Sequence, residues 1–160
     1  MKTKQFPQWV ADDLGRSAIS ADLGRKLGLR ALSAEETEEL TGRDCGGSYE
    51  IPYFDLEGAA MRFSRYKLMK PVSLGKAGTM RYWQPPKSPP RLYFPPLVSW
   101  KAVKADAKVE VWVTEGEKKA ASLCALGVPC AAVSGVWAWR SRRLHEAMVP
   151  EFKALLPRDV

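Results

Sequence analysis

Val109-Glu110-Val111-Trp112-Val113-Thr114-Glu115-Gly116-Glu117-Lys118-Lys119-Ala120 is the stretch on which the fold turns. Val109 to Thr114 is rich in β-favouring residues and predicts a strand. Glu115-Gly116 predicts a turn. Glu117 to Leu126 predicts a helix, with Ala120, Leu123 and Cys124 spaced to face a sheet. Gly127 ends that helix, and Val128 to Val133 predicts a second apolar strand. A strand, a helix of about ten residues and a strand make a βαβ unit, with parallel strands and a right-handed crossover. Ser134-Gly135 turns out of the second strand, and a further helix is expected from Ser141. Pro150 and Pro157 are expected to break or end what remains.

Upstream, the pattern changes twice. Tyr49, Ile51 and Tyr53 alternate with Glu50 and Pro52, as on a half-buried strand. Asp55-Leu56-Glu57-Gly58 is turn chemistry, and Met61 to Leu68 predicts the second strand of a β-hairpin. Residues 69–99 hold seven prolines, which deny donors to a central sheet. That segment therefore reads as extended loop, with short strands at Met80–Gln84 and Arg91–Phe94. The first 45 residues read as helical. Ser20 caps a short helix ended by Gly28. Ser33-Ala34-Glu35-Glu36 is a capping box opening a helix to Leu40, stopped at Gly42.

The composition is that of a folded domain: 160 residues, 46% hydrophobic and 27% charged. No run of eighteen apolar residues exists, so neither a transmembrane helix nor a membrane partner is expected. The start, Met1-Lys2-Thr3-Lys4-Gln5-Phe6-Pro7, lacks the apolar core of a secretory signal. Three scattered cysteines make no disulfide framework or zinc cluster, and Cys124 and Cys130 read as buried small hydrophobes. A cytoplasmic protein is the expectation.

The net charge of +7 is unevenly placed. Residues 1–60 hold 7 basic and 11 acidic side chains, and residues 105–160 hold 8 and 7. Residues 61–104 hold 10 bases and no acid: Arg62, Arg65, Lys67, Lys70, Lys76, Arg81, Lys87, Arg91, Lys101 and Lys104. The same block carries Phe63, Tyr66, Tyr82, Trp83, Tyr93, Phe94 and Trp100. Bases neutralise phosphates and aromatic faces stack on unpaired bases, so this block predicts a single-stranded nucleic-acid surface. Solvated bases around a buried aromatic core are the plainer alternative.

Glu115 stands at the predicted C-terminal tip of a strand, the edge where open α/β sheets bind ligands. Beside Lys118 and Lys119, such a carboxylate holds a metal or moves a proton. The plainer reading is that Glu115 and Glu117 suit a helix N-terminus. Glu117, in the first helical turn, is expected to face solvent. His145 follows Arg140, Arg142 and Arg143 and reads as a surface residue. Trp137 and Trp139 share a face if their backbone is extended.

The run from Val111 to Ala120, with Leu126-Gly127-Val128-Pro129 and Ser134-Gly135-Val136-Trp137-Ala138-Trp139-Arg140, resembles the first half of a Toprim domain. It is most similar to the Toprim-like domains of unknown function in replication proteins of phages, plasmids and other mobile elements, which often precede a helicase module. Ile51-Pro52-Tyr53-Phe54-Asp55, Arg62, Arg65, Arg81-Tyr82-Trp83-Gln84-Pro85-Pro86 and Arg91-Leu92-Tyr93-Phe94-Pro95-Pro96 resemble the same family. More distantly, they resemble the basic subdomain before the Toprim fold in bacterial DNA primases. The resemblance spans roughly residues 12–140. It implies a core for nucleotidyl transfer or strand breakage, with Glu115 as the characteristic glutamate and a ligand of Mg²⁺. It further implies single-stranded DNA or RNA as partner, met by Arg62, Arg65, Lys67, Arg81, Tyr82, Arg91, Tyr93, Lys118, Lys119 and Arg140.

The sequence departs from that family in one respect. The family pairs its glutamate with an Asp-x-Asp motif, and no two aspartates here are separated by one residue. Arg158-Asp159-Val160 reads as the opening of the strand that would carry the motif, so a metal site cut short is expected. The expected class is α+β in three segments. Residues 1–45 are helical, 46–104 form a basic β-hairpin and proline-rich lobe, and 105–160 form a partial Toprim α/β unit. Three functions follow: a primase-like core catalytic when complete, a non-catalytic nucleic-acid or partner-docking module, or a Toprim nuclease fragment.

Overall fold

The computed structural model describes residues 5–135, 138–139 and 148–155. The chain divides into two compact units, Met1–Pro52 with Phe63–Pro86, and Tyr53–Arg62 with Lys87–Val160. Helices and strands are mixed throughout, as expected for an α+β chain. A four-stranded antiparallel sheet has the order β1-β2-β3-β4, and a separate parallel pair is β5-β6.

The first unit opens with helices α1 (Gln8–Gly15) and α2 (Ala21–Lys26). Ser20 caps α2 by accepting the Leu23 N–H at 3.1 Å, as the sequence predicts. Strand β1 (Arg30–Leu32) was not expected in this helical stretch. It pairs antiparallel with β2 (Ser48–Phe54), and Arg30 lies opposite Glu50, its ion-pair partner at 3.1 Å. That cross-strand pair was invisible to local spacing. Helix α3 (Ala34–Thr41) carries the full capping box of Ser33 and Glu36 and ends at Gly42, whose φ of 69° suits glycine.

Alternation in β2 is as predicted, with Tyr49, Ile51 and Tyr53 buried. Glu50 lies on the opposite side, accepting from Ser64 Oγ at 2.8 Å and from the Arg30 guanidinium. Strand β3 (Ala60–Ser73) runs further than the sequence suggested, continuing through Pro71. An irregularity between Lys67 and Val72 admits the proline. There Met69 N–H donates to Gly47 and Lys70 N–H to Cys45, while Pro71, which has no donor, sits exposed. Strand β4 (Thr79–Trp83) matches the short strand predicted near Met80.

In the second unit, β5 (Trp112–Glu115) and β6 (Cys130–Val133) pair in parallel, from Trp112 opposite Cys130 to Glu115 opposite Val133. Helix α5 (Glu117–Ala125) connects them and packs on both. The βαβ reading thus holds, although β5 begins later than Val109. All four residues of β6 are buried, and Ala120 and Cys124 supply the facing side of α5. The small side chains allow the helix to lie close to the pair. The Cys124 thiol donates to the Cys130 carbonyl at 3.3 Å and the Cys130 N–H donates to Cys124 Sγ at 3.4 Å.

Helix α4 (Trp100–Ala105), capped by Ser99, follows the proline-rich segment at residues where the sequence predicts no element. Two local readings differ in this unit. The strand expected at Arg91–Phe94 is a single antiparallel bridge, in which Tyr93 and Ala132 exchange hydrogen bonds of 2.8 and 3.0 Å. Pro89-Pro90 and Pro95-Pro96 bracket it and leave no donors to extend the ladder. Pro150, expected to break structure, opens helix α6 (Pro150–Leu155), since its missing N–H costs nothing in a first turn. The helix expected from Ser141, with Trp137, Arg140, His145 and Asp159, lies outside the described residues.

Candidate nucleic-acid interface

In the first unit, β3 and β4 bring three of the sequence candidates together. Arg65 and Lys67 are two apart on β3 and so share a face. Lys67 lies opposite Tyr82 on β4. The Arg65 guanidinium carbon is 5.0 Å from the centre of the Tyr82 ring, and Lys67 Nζ is 5.5 Å from it. Two cations held against one electron-rich ring form a compact positive site, since the ring's quadrupole attracts both. Lys67 Nζ also donates to the Leu68 carbonyl at 3.0 Å, which fixes its direction. Arg65 is the most enclosed of the three, at 9% exposed. Its long stem packs as core while its head serves the ring.

Arg81 adjoins Tyr82 in sequence but projects to the other face, because strand side chains alternate. It is exposed there. That face also carries the Tyr66–Trp83 pair, with ring centres 5.5 Å apart and an edge-on angle of 62°. Burial, and next the nearby Glu50 carboxylate, raise the Tyr66 phenol above its ordinary value. The ribbon therefore offers aromatic and basic groups on both faces, not on the single surface that the basic and aromatic block predicts.

The second unit holds the remaining candidates. Arg62 and Lys119 are exposed, and Lys118 is half-buried on the first turn of α5. Arg91 is engaged in an ion pair with Glu151 of α6 at 3.1 Å. Tyr93 is only 1% exposed, and its ring packs edge-on against Tyr53 with centres 5.1 Å apart. No base can reach that ring, so Tyr93 is removed from the stacking set. Phe94 and Trp100 are likewise buried, packed together at 4.8 Å, and the Trp100 indole N–H donates to the Pro95 carbonyl at 2.8 Å.

Glu115 is exposed at the C-terminal end of β5, where the sequence placed it. Glu117 does not face solvent as expected. It is buried, and it accepts a hydrogen bond of 2.8 Å from the Tyr53 hydroxyl. In the first unit Tyr49 makes the same contact with Asp13 of α1, also at 2.8 Å. Sequence reasoning missed both acceptors. The partners lie 64 and 36 residues apart, and no local pattern links them.

Among the described residues, no group of three or more His, Cys, Asp or Glu side chains is placed to hold a metal ion. Glu115 alone does not make a Mg²⁺ site, which needs several oxygen ligands in near-octahedral order. The described residues do not fit the ion that the family resemblance implies.

Burial raises three protons in the core around α5. The Cys130 thiol is pushed up to about 11, first by burial and then by the neighbouring Cys124. Burial also raises Cys124, and it raises the Tyr93 phenol, helped by the Glu117 carboxylate. The folded chain therefore keeps protons that an unfolded chain sheds above the ordinary thiol value of 9.0. This stability contribution is complete below about pH 9 and is lost as pH rises through about 11. Urea midpoints measured at about pH 8 and about pH 10.5 should fall between the two, and Cys130→Ala should flatten that fall.

The geometry defines a mixed α+β protein with a basic antiparallel sheet and a separate βαβ unit. Residues 99–158, which contain that βαβ unit, match the model of a domain of unknown function, DUF3854. No curated protein and no solved structure matches the chain. No helix among the described residues is long and apolar enough to cross a membrane.

Proposed function

We propose that this chain is a single-stranded nucleic-acid-binding module, built on a Toprim-like scaffold related to replication proteins of mobile elements. The observation that carries it is the Tyr82 ring with Arg65 and Lys67 held against it at 5.0 and 5.5 Å. In the sequence Tyr82 falls within a run of 44 residues, 61–104, without one acidic side chain. A base stacks on the accessible edge of the ring while the Lys67 ammonium group meets a phosphate. Arg81, exposed on the opposite face of the ribbon, adds positive charge to the same unit, and Lys70 is exposed 3.9 Å from the Asp44 carboxylate.

The test is anisotropy with a labelled single-stranded oligonucleotide across a salt series. Affinity should fall steeply with salt, by about 0.7 in log-log slope for each phosphate neutralised. Lys67→Ala and Arg81→Ala should each reduce the slope by about one such step. Tyr82→Ala should weaken binding by about 1–3 kcal/mol at every salt concentration, and Tyr82→Phe should restore it. Affinity indifferent to salt, or to Tyr82→Ala, defeats the proposal.

The catalytic reading rests on a different observation, the place of Glu115 at the tip of β5. In that reading the chain belongs to a primase-type nucleotidyltransferase or a Toprim nuclease, acting with a helicase module. One carboxylate among the described residues supports no metal-dependent step. Mg²⁺-dependent oligonucleotide synthesis or plasmid nicking that is lost in Glu115→Gln would establish it, and equal activity in both proteins would remove Glu115 from the mechanism.

A further inference from the structure

The turn joining β3 to β4 has a form that the single-strand surface does not use. All of residues 69–79 except Val72 are exposed, Leu74 at 42%. The stem is held by the pairs Val72–Met80 and Ser73–Thr79. The turn closes through Leu74 N–H to the Gly78 carbonyl at 2.8 Å, Gly78 N–H to the Gly75 carbonyl at 3.1 Å, and Ala77 N–H to the Leu74 carbonyl at 3.2 Å. Gly75 and Gly78 hold φ values of 61° and 97°, a conformation other residues resist. The turn is thus rigidly closed, yet it exposes the large apolar side chain of Leu74, with Lys76 two residues on.

We infer that this turn is a duplex-probing tip, and that the preferred ligand is a junction between single-stranded and double-stranded nucleic acid. The inference rests on the single-strand reading of Tyr82. An apolar wedge at the end of a two-stranded ribbon can enter a base step from the minor groove and unstack it. The charge is complementary, because Lys76 stands exposed in the turn itself and no acid occurs in sequence between residues 61 and 104. Spacing agrees as well. Tyr82 and Thr79 are three residues apart on β4, about 10 Å at about 3.4 Å per residue. That is about three base-pair rises of 3.4 Å each, so a strand on Tyr82 reaches the tip after a few nucleotides.

The full chain is titrated by anisotropy with three probes of equal length: a single strand, a blunt duplex, and a duplex with a single-stranded overhang. The overhang substrate should bind at least about tenfold tighter than the single strand. A 2-aminopurine at the first paired position should brighten on binding, because a wedge unstacks it. Leu74→Ser, at an exposed position, should abolish the brightening and the junction preference while leaving single-strand affinity unchanged. Equal affinity for junction and single strand, or brightening that survives Leu74→Ser, overturns this inference and leaves the Tyr82 reading standing. Loss of salt-sensitive single-strand binding itself overturns both.

Discussion

Tyr53→Phe should lower the unfolding free energy by about 2–3 kcal/mol, the usual loss when a hydrogen bond to a buried charged group is removed. The hydroxyl is deleted with almost no change in shape, so the loss reads the 2.8 Å contact to Glu117, which is 3% exposed. Tyr49→Phe in the first unit should cost about 1–2 kcal/mol; Asp13 there also accepts from Arg16 at 3.2 Å and keeps that partner. Urea midpoints at neutral pH measure both. Equal and small losses would mean that the two carboxylates are better hydrated than their burial implies.

Trp100→Ala should destabilise the chain by about 3–5 kcal/mol, whereas Trp112→Ala should change stability by less than about 0.5 kcal/mol. Both tryptophans lie in the region that matches DUF3854. Trp100 is 3% exposed, packs against Phe94, and has its indole N–H bonded to the Pro95 carbonyl. Its removal leaves a cavity and an unpaired carbonyl together. Trp112 is 57% exposed on β5, so truncation removes little buried surface. Thermal melts of the two variants should separate clearly. A large loss at Trp112 would indicate that its face is covered in solution.

The reading of local signals was reliable wherever a signal was short-range. The capping box at Ser33, the cap at Ser20, the alternation of Tyr49, Ile51 and Tyr53, and the strand–turn–helix around Glu115 all concern residues a few positions apart. Their geometry follows from backbone hydrogen bonds and side-chain periodicity. Stretches dense in proline were harder. Pro71 lies within a strand because an irregularity accommodates it, and Pro150 starts a helix rather than stopping one. In both cases the effect of proline depends on which donor its position would otherwise need.

The candidate surface was legible in part. An acid-free block of bases and aromatics can be counted from the sequence, and Arg65, Lys67 and Tyr82 do meet. The count could not sort aromatics by burial. Phe63, Tyr66, Tyr82 and Trp83 keep partial access to solvent, while Tyr93, Phe94 and Trp100 belong to a core. Nor could it separate Arg81 from Tyr82, whose adjacency along a strand sends them to opposite faces.

The sequence by itself determined the mixed α+β class, the parallel βαβ unit and the concentration of positive charge in residues 61–104. Tertiary structure decided which charges and rings share a face, that Glu117 is buried beneath Tyr53, and that Glu115 stands without a set of metal ligands among the described residues. The physical reason is range. Periodicity and capping act within a few residues, whereas burial and pairing are set by segments tens of residues apart that only the folded chain brings together.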